Sequence, residues 1–214
     1  SKIMTGAAQA TDERERDKTE NERQLVLFQL SGENYGVDIY SVQRLIQVPE
    51  ITKVPRAPTF VEGVIDVRGD IIPVINLVKR FGISDADLRG DGRIVITEIG
   101  DQIVGFLVDA VSEVTTLSEN DIEPPSAVVA GKDTDFISGI GKQAKGDSNL
   151  LIIVLDVHKV LREQELTYVE QVGEEFSERS KSMTEDAAVA EEAEMEAGRS
   201  EEGPGPLAGL RVVE

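Results

Sequence analysis

The chain has 214 residues, no cysteine and a formal net charge of −19, with 40% hydrophobic residues. This length suits one or two domains, and the lack of cysteine excludes disulfides and thiolate chemistry and fits a reducing compartment. The acidity argues against a nucleic-acid partner, because phosphate binding relies on a surplus of Lys and Arg. No stretch approaches the roughly 18 apolar residues of a membrane span, and the N-terminal segment lacks the apolar run of a signal peptide. We therefore expect a soluble cytoplasmic protein that does not insert into a membrane.

The chain begins with a polar segment and then changes to short runs of β-branched and aromatic residues. Residues 1–22 show no apolar periodicity, which predicts a disordered leader. Ten candidate strands follow, separated by Gly, Asp, Asn and Pro, at 25–30, 34–39, 42–48, 61–67, 70–77, 93–99, 102–108, 112–117, 135–141 and 150–156. Many short strands with turn signals between them predict an all-β fold of barrels or a sandwich rather than βαβ units.

The order of these strands suggests two halves. The segment 81–93 contains no strand and divides five strands from five, so we predict two similar small barrels, at about 23–82 and 92–156. The sequence shows no repeat at the level of residues that would support a duplication. Pro73 lacks a backbone donor, which predicts an edge strand or a bulge there. Asp156 is a suitable N-cap for a closing helix over 157–166.

The C-terminal part of the chain is strongly acidic. Residues 163–214 contain fifteen acidic and four basic residues. The segment 187–197 consists of good helix formers without a complete apolar face. We predict that 167–214 is a solvated tail, disordered or transiently helical, with the slightly apolar end LAGLRVVE as an alternative docking peptide.

Motifs for metal, phosphate or catalytic chemistry are incomplete. His158 has no Cys or second His near it in sequence, so a surface or packing role is favoured over metal binding. A segment that starts like a calcium loop at Asp85 has Arg89 and Ile96 where carboxylates are required. The glycines of 139–148 lack the spacing of a phosphate loop. The sequence therefore favours a protein that is not an enzyme and has no cofactor or metal.

The stretch GVIDVRGDIIPVIN contains an Arg-Gly-Asp triplet between two predicted strands. Gly69 supplies the backbone freedom of a tight reversal, which places Arg68 at the corner of a hairpin. In a cytoplasmic protein the triplet is not an adhesion ligand. Arg68 is either a solvated turn residue or a fixed set of donors that bridges loops or binds a partner.

Several segments together resemble the CheW family, the coupling proteins of prokaryotic chemotaxis. They are YGVDIYSVQRL (35–45), VPRAPTFVEGVIDVRGDIIPVINLVKRFG (54–82), VGFLVDAVSEVTTL (104–117) and FISGIGK (136–142) with LLIIVLDVHKVL (150–161). The resemblance covers about residues 24–162 and neither tail. It implies two five-stranded SH3-like barrels around a shared core, without catalytic activity.

The resemblance also implies a function in two-component signal transduction. Members of this family are adaptors that couple the cytoplasmic tips of chemoreceptors (methyl-accepting chemotaxis proteins) to the regulatory domain of a histidine autokinase, in membrane-associated receptor arrays. A scaffold of the same fold in another kinase pathway, such as surface motility or development, is the alternative.

Matched positions imply which residues contact each partner. The residues expected to bind the receptor are Ile39, Val42, Gly63, Arg68, Val104 and Val108. The residues expected to bind the kinase are Ile51, Thr52 and Val54.

The resemblance implies that the helical tip of the receptor lies against a groove between the barrels, and two expectations follow for this receptor groove. Gly63 is expected to let the receptor helix approach closely, so Gly63→Asp and Arg68→Glu should weaken receptor binding and leave the fold intact. Family members often have an acid where this chain has Arg44. We therefore expect either that Arg44 points away from Arg68, or that Asp66 or Asp38 compensates.

Overall fold

A computed structural model describes residues 21–83, 91–127 and 134–199. The described residues form eleven strands: β1 Glu22–Leu30, β2 Glu33–Asp38, β3 Val42–Gln47, β4 Val61–Val67, β5 Asp70–Asn76, β6 Arg93–Ile99, β7 Gln102–Val108, β8 Ala110–Ser118, β9 Ile122–Glu123, β10 Ile137–Lys145 and β11 Ser148–Leu155. Two α-helices are α1 Leu77–Arg80 and α2 Glu163–Arg199. The predicted leader up to residue 20, the segment at Asp85 and the end LAGLRVVE lie outside the described residues.

The strands form two curled sheets, which confirms the predicted all-β class. One sheet has the order β8-β1-β2-β11-β10-β9 and the other has the order β3-β6-β7-β5-β4. The predicted division of strands between the barrels was wrong, because β1 and β2 belong with the C-terminal strands. β1 pairs with β8, and β2 runs parallel to β11. Such pairings join residues more than 80 positions apart, and a local sequence pattern does not contain them.

Each sheet closes through a short segment that follows its first edge strand. After β3 the chain returns to the far edge, where Thr52 and Val64 exchange two backbone hydrogen bonds of 2.9 and 2.8 Å. After β8 the chain does the same through β9, which pairs with β10. Both sheets are therefore barrels, and closure removes the open edges along which sheets aggregate. The sequence analysis missed β9, because two residues are too short for an alternating pattern.

The two barrels follow one structural plan, so the structure reveals a duplication that the sequence did not show. Gly63 in β4 and Gly139 in β10 lie at the same kind of register shift in the corresponding hairpins. Asn76 ends β5 and Asp156 directly follows β11, and the side chain of each accepts a backbone hydrogen bond from the turn that follows. Few side chains are identical in the two halves, and the repeat lies mainly in the backbone.

Pro73 lies in an inner strand, which corrects the expectation of an edge strand or a bulge there. Its neighbour on β4 is Val64, whose N–H and C=O both bond to Thr52 on the other side. The pairing of β5 with β7 begins only at Val74. The absent N–H of Pro73 therefore removes no hydrogen bond from either ladder.

The two barrels share a hydrophobic core. Its fully buried side chains come from both sheets and include Phe28, Leu30, Val37, Ile75, Val95 and Phe106. Four aromatic rings stack in a row, Phe28, Tyr35, Phe81 and Phe136, with centroid separations of 6.1, 6.1 and 4.2 Å. A smaller apolar cluster fills the interior of each barrel. Burial of this shared core, at roughly 25 cal/mol for each Å² of apolar surface, is the main force that holds the two barrels together.

The helical segments differ from the prediction. The predicted closing helix over 157–166 is a 3₁₀ turn at Val157–Lys159, followed by the start of α2 at Glu163. Residues 167–199, predicted to belong to a solvated tail that is disordered or transiently helical, continue α2 as a regular helix. The carboxylate of Glu165 accepts a hydrogen bond of 2.8 Å from the backbone N–H of Arg162, which caps the first turn.

Two apolar residues explain why α2 continues past the predicted end. Val169 and Val172 are buried, three positions apart on one face of the helix. Glu, Ala and Lys, which favour helices, then extend it without an apolar face. One compact unit ends at Gly173, and Glu174 begins a second one. None of the described helices is long and apolar enough to cross a membrane.

Candidate docking surface

The link between β2 and β3 carries the chain from one barrel to the other and exposes an aromatic side chain. Asp38 caps a 3₁₀ turn over Ile39–Ser41, and its Oδ1 accepts a hydrogen bond of 3.0 Å from the backbone N–H of Tyr40. Ile39 and Val42 are half-buried and pack against the shared core. Tyr40 between them is 92% exposed. The link therefore holds a large amphipathic side chain in solvent on a firmly packed base.

Tyr40 was missed by the sequence analysis. The capping position of Asp38 two residues before it was the signal, because such a cap turns the chain out of the strand pattern after β2. Thr97 on β6 fixes the link further, since its hydroxyl donates a hydrogen bond of 2.5 Å to the carbonyl oxygen of Ser41.

A polar cavity of about 360 Å³ lies beside Tyr40. Arg23 on β1 and Asp38 on β2 line one side of the cavity, and Arg23 Nε lies 3.6 Å from Asp38 Oδ2. The ends of β10 and β11 supply the opposite side through Ser138 and Asp156. The surface around Tyr40 thus combines an apolar anchor with nearby hydrogen-bonding groups, as protein interfaces commonly do.

Arg68 lies at the tip of the β4–β5 hairpin, as predicted. Arg68 and Gly69 have φ angles of 56° and 92°, the left-handed pair of a type I′ turn. Arg68 is exposed and has no ion-pair partner within the described ranges. The left-handed conformation costs a non-glycine residue about 1 kcal/mol. The tight turn thus presents the Arg68 guanidinium to solvent, although an arginine is energetically unfavourable at this left-handed position.

Neither acid suggested as compensation pairs with Arg68. Asp66 accepts a hydrogen bond of 2.7 Å from the backbone N–H of Gly69 and so stabilises the turn. Asp38 is engaged with Arg23 and Tyr40. Arg44 is exposed on β3.

Gly63 is needed for a contact within the chain itself. It is buried, with a φ angle of 150°, and a Cβ atom there would lie 2.2 Å from the carbonyl oxygen of Thr52 and 2.8 Å from Cγ2 of Ile51. The segment at 51–52 therefore covers its free face and leaves no room there for the close approach of a helix. For the same reason the expectation that Gly63→Asp leaves the fold intact was wrong.

The three residues expected to bind the kinase lie together on the segment that closes the five-stranded barrel. Ile51 is half-buried and packs on the interior cluster of that barrel, whereas Thr52 is exposed and Val54 is half-buried. The hydrogen bonds between Thr52 and Val64 hold this segment against β4. The structure therefore brings Ile51, Thr52 and Val54 together with Gly63, which was assigned to the other site.

Val104 and Val108 are fully buried, which contradicts their assignment to a binding groove. β7 is an inner strand, with the shared core on one face and the barrel interior on the other. Both valines belong to the shared core. On β7, the exposed apolar side chain is that of Ile103, at 38%.

A network of polar groups anchors β4 beside the segment at 51–54. Glu62 Oε1 accepts hydrogen bonds from Asn76 Nδ2 at 2.7 Å and from Lys79 Nζ at 2.9 Å. Lys53 Nζ lies 3.5 Å from Glu62 Oε2. Burial of Glu62 alone would raise its pKa, but these hydrogen bonds and the two lysine charges outweigh burial and hold the pKa below the ordinary value of 4.5. Glu62 is therefore ionised at neutral pH and connects the segment at 51–54 to the β4–β5 hairpin.

Residues 24–165 match the CheW-like domain. A chemotaxis protein CheW of Treponema pallidum is 40% identical over 147 residues, which are 67% of this chain and 84% of that protein. A chemotaxis protein CheW of Thermotoga maritima is 35% identical over 145 residues, 66% of this chain and 89% of that protein.

A solved structure agrees with these matches. The scaffolding protein TtCheW from Thermoanaerobacter tengcongensis is 44% identical and superposes with a TM-score of 0.59, over 65% of this chain and 88% of that one. The family match over residues 24–165 covers most of the described barrel residues and the start of α2, and it agrees with the resemblance noted in the sequence. The chain therefore belongs to the CheW-like family.

Proposed function

We propose that this chain is a non-enzymatic adaptor of a chemotaxis pathway, coupling the cytoplasmic tips of chemoreceptors to the regulatory domain of a histidine autokinase. Support comes from the family, from the name chemotaxis protein CheW that its relatives carry, and from the description of the solved relative as a scaffolding protein. The proposal places the protein in the cytoplasm, at membrane-associated receptor arrays.

The exposure of Tyr40 is the observation that carries the proposal for the receptor. A receptor tip made of helices offers an amphipathic surface, and a tyrosine gives it a large apolar contact with one hydrogen-bonding group. The half-buried Ile39 and Val42 flank this anchor on packed backbone. β-branched side chains lose little rotamer freedom on binding, because their χ1 is already restricted.

Arg68 supplies a second receptor contact in this proposal. Its guanidinium stands on a rigid hairpin tip, so it can donate to a helix C-terminus or a carboxylate with little loss of backbone freedom. The surface is small and its contacts are few, which favours weak binding at each site. In an array, many such contacts act together, and multivalency makes the assembly stable.

The kinase regulatory domain is proposed to dock on the segment with Ile51, Thr52 and Val54. Two hydrogen bonds to β4 fix the backbone of this segment before any partner binds. Gly63 acts as a positioning residue here, because only a residue without a side chain lets Thr52 lie on β4. The adaptor role therefore uses two separate surfaces.

The receptor surface is tested with Tyr40→Glu against Leu151→Glu. Both side chains are exposed, at 92% and 56%, so both variants should fold. In co-sedimentation with receptor-tip assemblies and the kinase regulatory domain, we expect Tyr40→Glu to weaken receptor binding about 30-fold, since a central anchor is worth about 2 kcal/mol. Leu151→Glu should bind normally. Equal binding by the two variants would contradict the role of Tyr40.

The kinase surface is tested with Thr52→Glu against Thr116→Glu, which makes the same change on β8. Both threonines are exposed. We expect Thr52→Glu to reduce capture of the isolated kinase regulatory domain and to leave receptor binding unchanged. A pull-down from cell extract, read by mass spectrometry, should contain a chemoreceptor and a histidine kinase together. Recovery of a kinase without any chemoreceptor would contradict the chemotaxis role.

A further inference from the structure

Three non-glycine residues in the described part of the chain have left-handed φ angles: Ser31 at 49°, Arg56 at 59° and Arg68 at 56°. This conformation is unfavourable for a residue with a side chain, so each case calls for a compensating contact or a function. The backbone N–H of Ser31 donates a hydrogen bond of 2.6 Å to Asp109 Oδ2, which fixes its hairpin. Arg68 belongs to the receptor surface proposed above. Neither reason applies to Arg56.

Arg56 occupies the third position of a tight turn over residues 54–57. The backbone N–H of Ala57 donates a hydrogen bond of 3.4 Å to the carbonyl oxygen of Val54, and Pro55 directly precedes Arg56. A proline followed by a residue with a positive φ angle is typical of a type II turn, which prefers glycine or asparagine at the second of these two positions. The chain therefore has an arginine where the stability of the turn favours a different residue.

The side chain of Arg56 does not stabilise the described part of the chain. It is exposed and makes no hydrogen bond, ion pair or ring contact within the described ranges. Glu62, an acid on the neighbouring strand β4, accepts hydrogen bonds from Asn76 and Lys79 instead. The strain at Arg56 is therefore not offset by any contact of its own side chain within those ranges.

The turn presents this guanidinium on a rigid base. Val54 before the turn and Ala57 after it are half-buried, and Ala57 packs against the shared core. The ring of Pro55 fixes one backbone angle of the turn. The two hydrogen bonds between Thr52 and Val64 hold the chain just before the turn against β4. A donor group on a backbone that is fixed in advance loses little conformational freedom on binding.

From the strained turn, the unused guanidinium and their place directly after Thr52 and Val54, we propose that Arg56 binds a carboxylate of the kinase regulatory domain and thereby selects an acidic surface on that partner. A guanidinium suits a carboxylate because two parallel N–H groups donate to its two oxygens. This inference rests on the proposed function, since it extends the kinase surface from the segment at 51–54 into the turn that follows. The turn then gives up stability for specific binding, a trade-off common at functional sites.

The test measures binding of the full chain and its variants to the isolated regulatory domain of the kinase that the pull-down recovers. Arg56→Asn removes the guanidinium and introduces a residue that tolerates the left-handed conformation. We expect the affinity to fall about tenfold, as loss of one charged pair implies. The midpoint of urea unfolding should rise by about 0.2–0.5 M, because the strain is relieved. A variant that is more stable and yet binds less tightly separates a binding role from a structural one.

Two further variants and the salt dependence serve as controls. Arg56→Lys keeps the charge without the planar set of donors, so its affinity should lie between those of the wild type and Arg56→Asn. Arg44 is also exposed, on β3 of the same barrel, and Arg44→Asn should leave kinase binding unchanged. Added salt should weaken binding of the wild type more than that of Arg56→Asn, because salt screens the ion pair.

The outcomes distinguish this inference from the proposed function. If the wild-type chain does not bind the regulatory domain, the proposed function is contradicted and the inference fails with it. If the wild type binds, the role of Arg56 alone is overturned by equal affinity of Arg56→Asn, by an equal loss in Arg44→Asn, or by the same salt dependence in Arg56→Asn as in the wild type. Circular dichroism checks that every variant folds.

Discussion

Replacement of Gly63 by alanine tests the reasoning about the closure of the five-stranded barrel. The new Cβ would lie 2.2 Å from the carbonyl oxygen of Thr52, a backbone atom that cannot rotate away. The segment at 51–52 must then leave β4, and the two hydrogen bonds of 2.9 and 2.8 Å between Thr52 and Val64 are lost. The φ angle of 150° is also strained for any residue with a side chain.

These contributions give the expected size of the effect. Two backbone hydrogen bonds contribute about 1 kcal/mol each, and the strained conformation costs about 1–3 kcal/mol. Gly63→Ala should therefore lower the free energy of unfolding by about 3–5 kcal/mol. With a urea m-value of about 2 kcal/mol per M, the midpoint of unfolding would fall by about 2 M. Far-UV circular dichroism in urea is the assay, because the protein has no tryptophan.

Two other glycines separate the causes. Gly146 has a φ angle of 63° and open space around it, so Gly146→Ala tests strain alone and should cost about 1 kcal/mol. Gly139 is the counterpart of Gly63 in the other barrel, where the new Cβ would lie 2.6 Å from Cγ2 of Ile122 and 3.0 Å from the carbonyl oxygen of Glu123. Gly139→Ala tests overpacking and should cost about 1–3 kcal/mol.

The result that would refute the reasoning is a small effect of Gly63→Ala, no larger than that of Gly146→Ala. Such a result would mean that the closing segment moves without cost and that Gly63 does not position it. A binding measurement gives a second test of whether Gly63 positions the closing segment. If Gly63 positions Thr52, the alanine variant should also lose affinity for the kinase regulatory domain under conditions where it remains folded.

Three further predictions concern the turn, the buried carboxylate and the helix. Arg68→Asn should raise the free energy of unfolding by about 0.5–1 kcal/mol, because Asn-Gly is preferred in a type I′ turn, and should weaken receptor binding because the guanidinium is lost. Folding lowers the pKa of Glu62, so its ionised form stabilises the protein above pH 4.5. This contribution is lost as the pH falls through the folded-state pKa. The difference in the free energy of unfolding between wild type and Glu62→Gln should therefore shrink on acidification. Truncation after Gly173 should leave the barrels as stable as in the full chain, whereas truncation after residue 166 removes the buried Val169 and Val172 and should cost about 3–6 kcal/mol.

Each of these predictions has its own control and its own contrary outcome. For Arg68, a variant that loses stability would contradict the assignment of the turn. For Glu62, the exposed Glu98 gives the matched control Glu98→Gln, and an equal pH dependence in both variants would show that the network around Glu62 is not the cause. For α2, equal thermal unfolding temperatures of the two truncated proteins would mean that the helix is not part of the core.

The sequence was informative wherever the evidence is local. Alternating apolar residues located ten of the strands to within a few residues, and the Arg-Gly pair located the hairpin that carries Arg68. The segment around VRGD also identified the family. Prediction failed where two distant segments meet. Gly63 was assigned to a receptor groove, because nothing near it in sequence reveals that Thr52 lies on top of it. The resemblance placed Val104 and Val108 in the same groove, and the strand pattern could not correct this, because an apolar strand reads the same whether one face or both are covered.

What the sequence determined by itself is the class of fold, the family and the positions of turns and strands, since these depend on residue type and short-range period. Only the tertiary structure decided which strands share a barrel, that β1 and β2 pair with C-terminal strands, and that one core joins both barrels. It also decided that Tyr40 is exposed while its neighbours pack inward. The physical reason is that long-range pairing and burial depend on the summed packing of many segments, and no single segment carries that information.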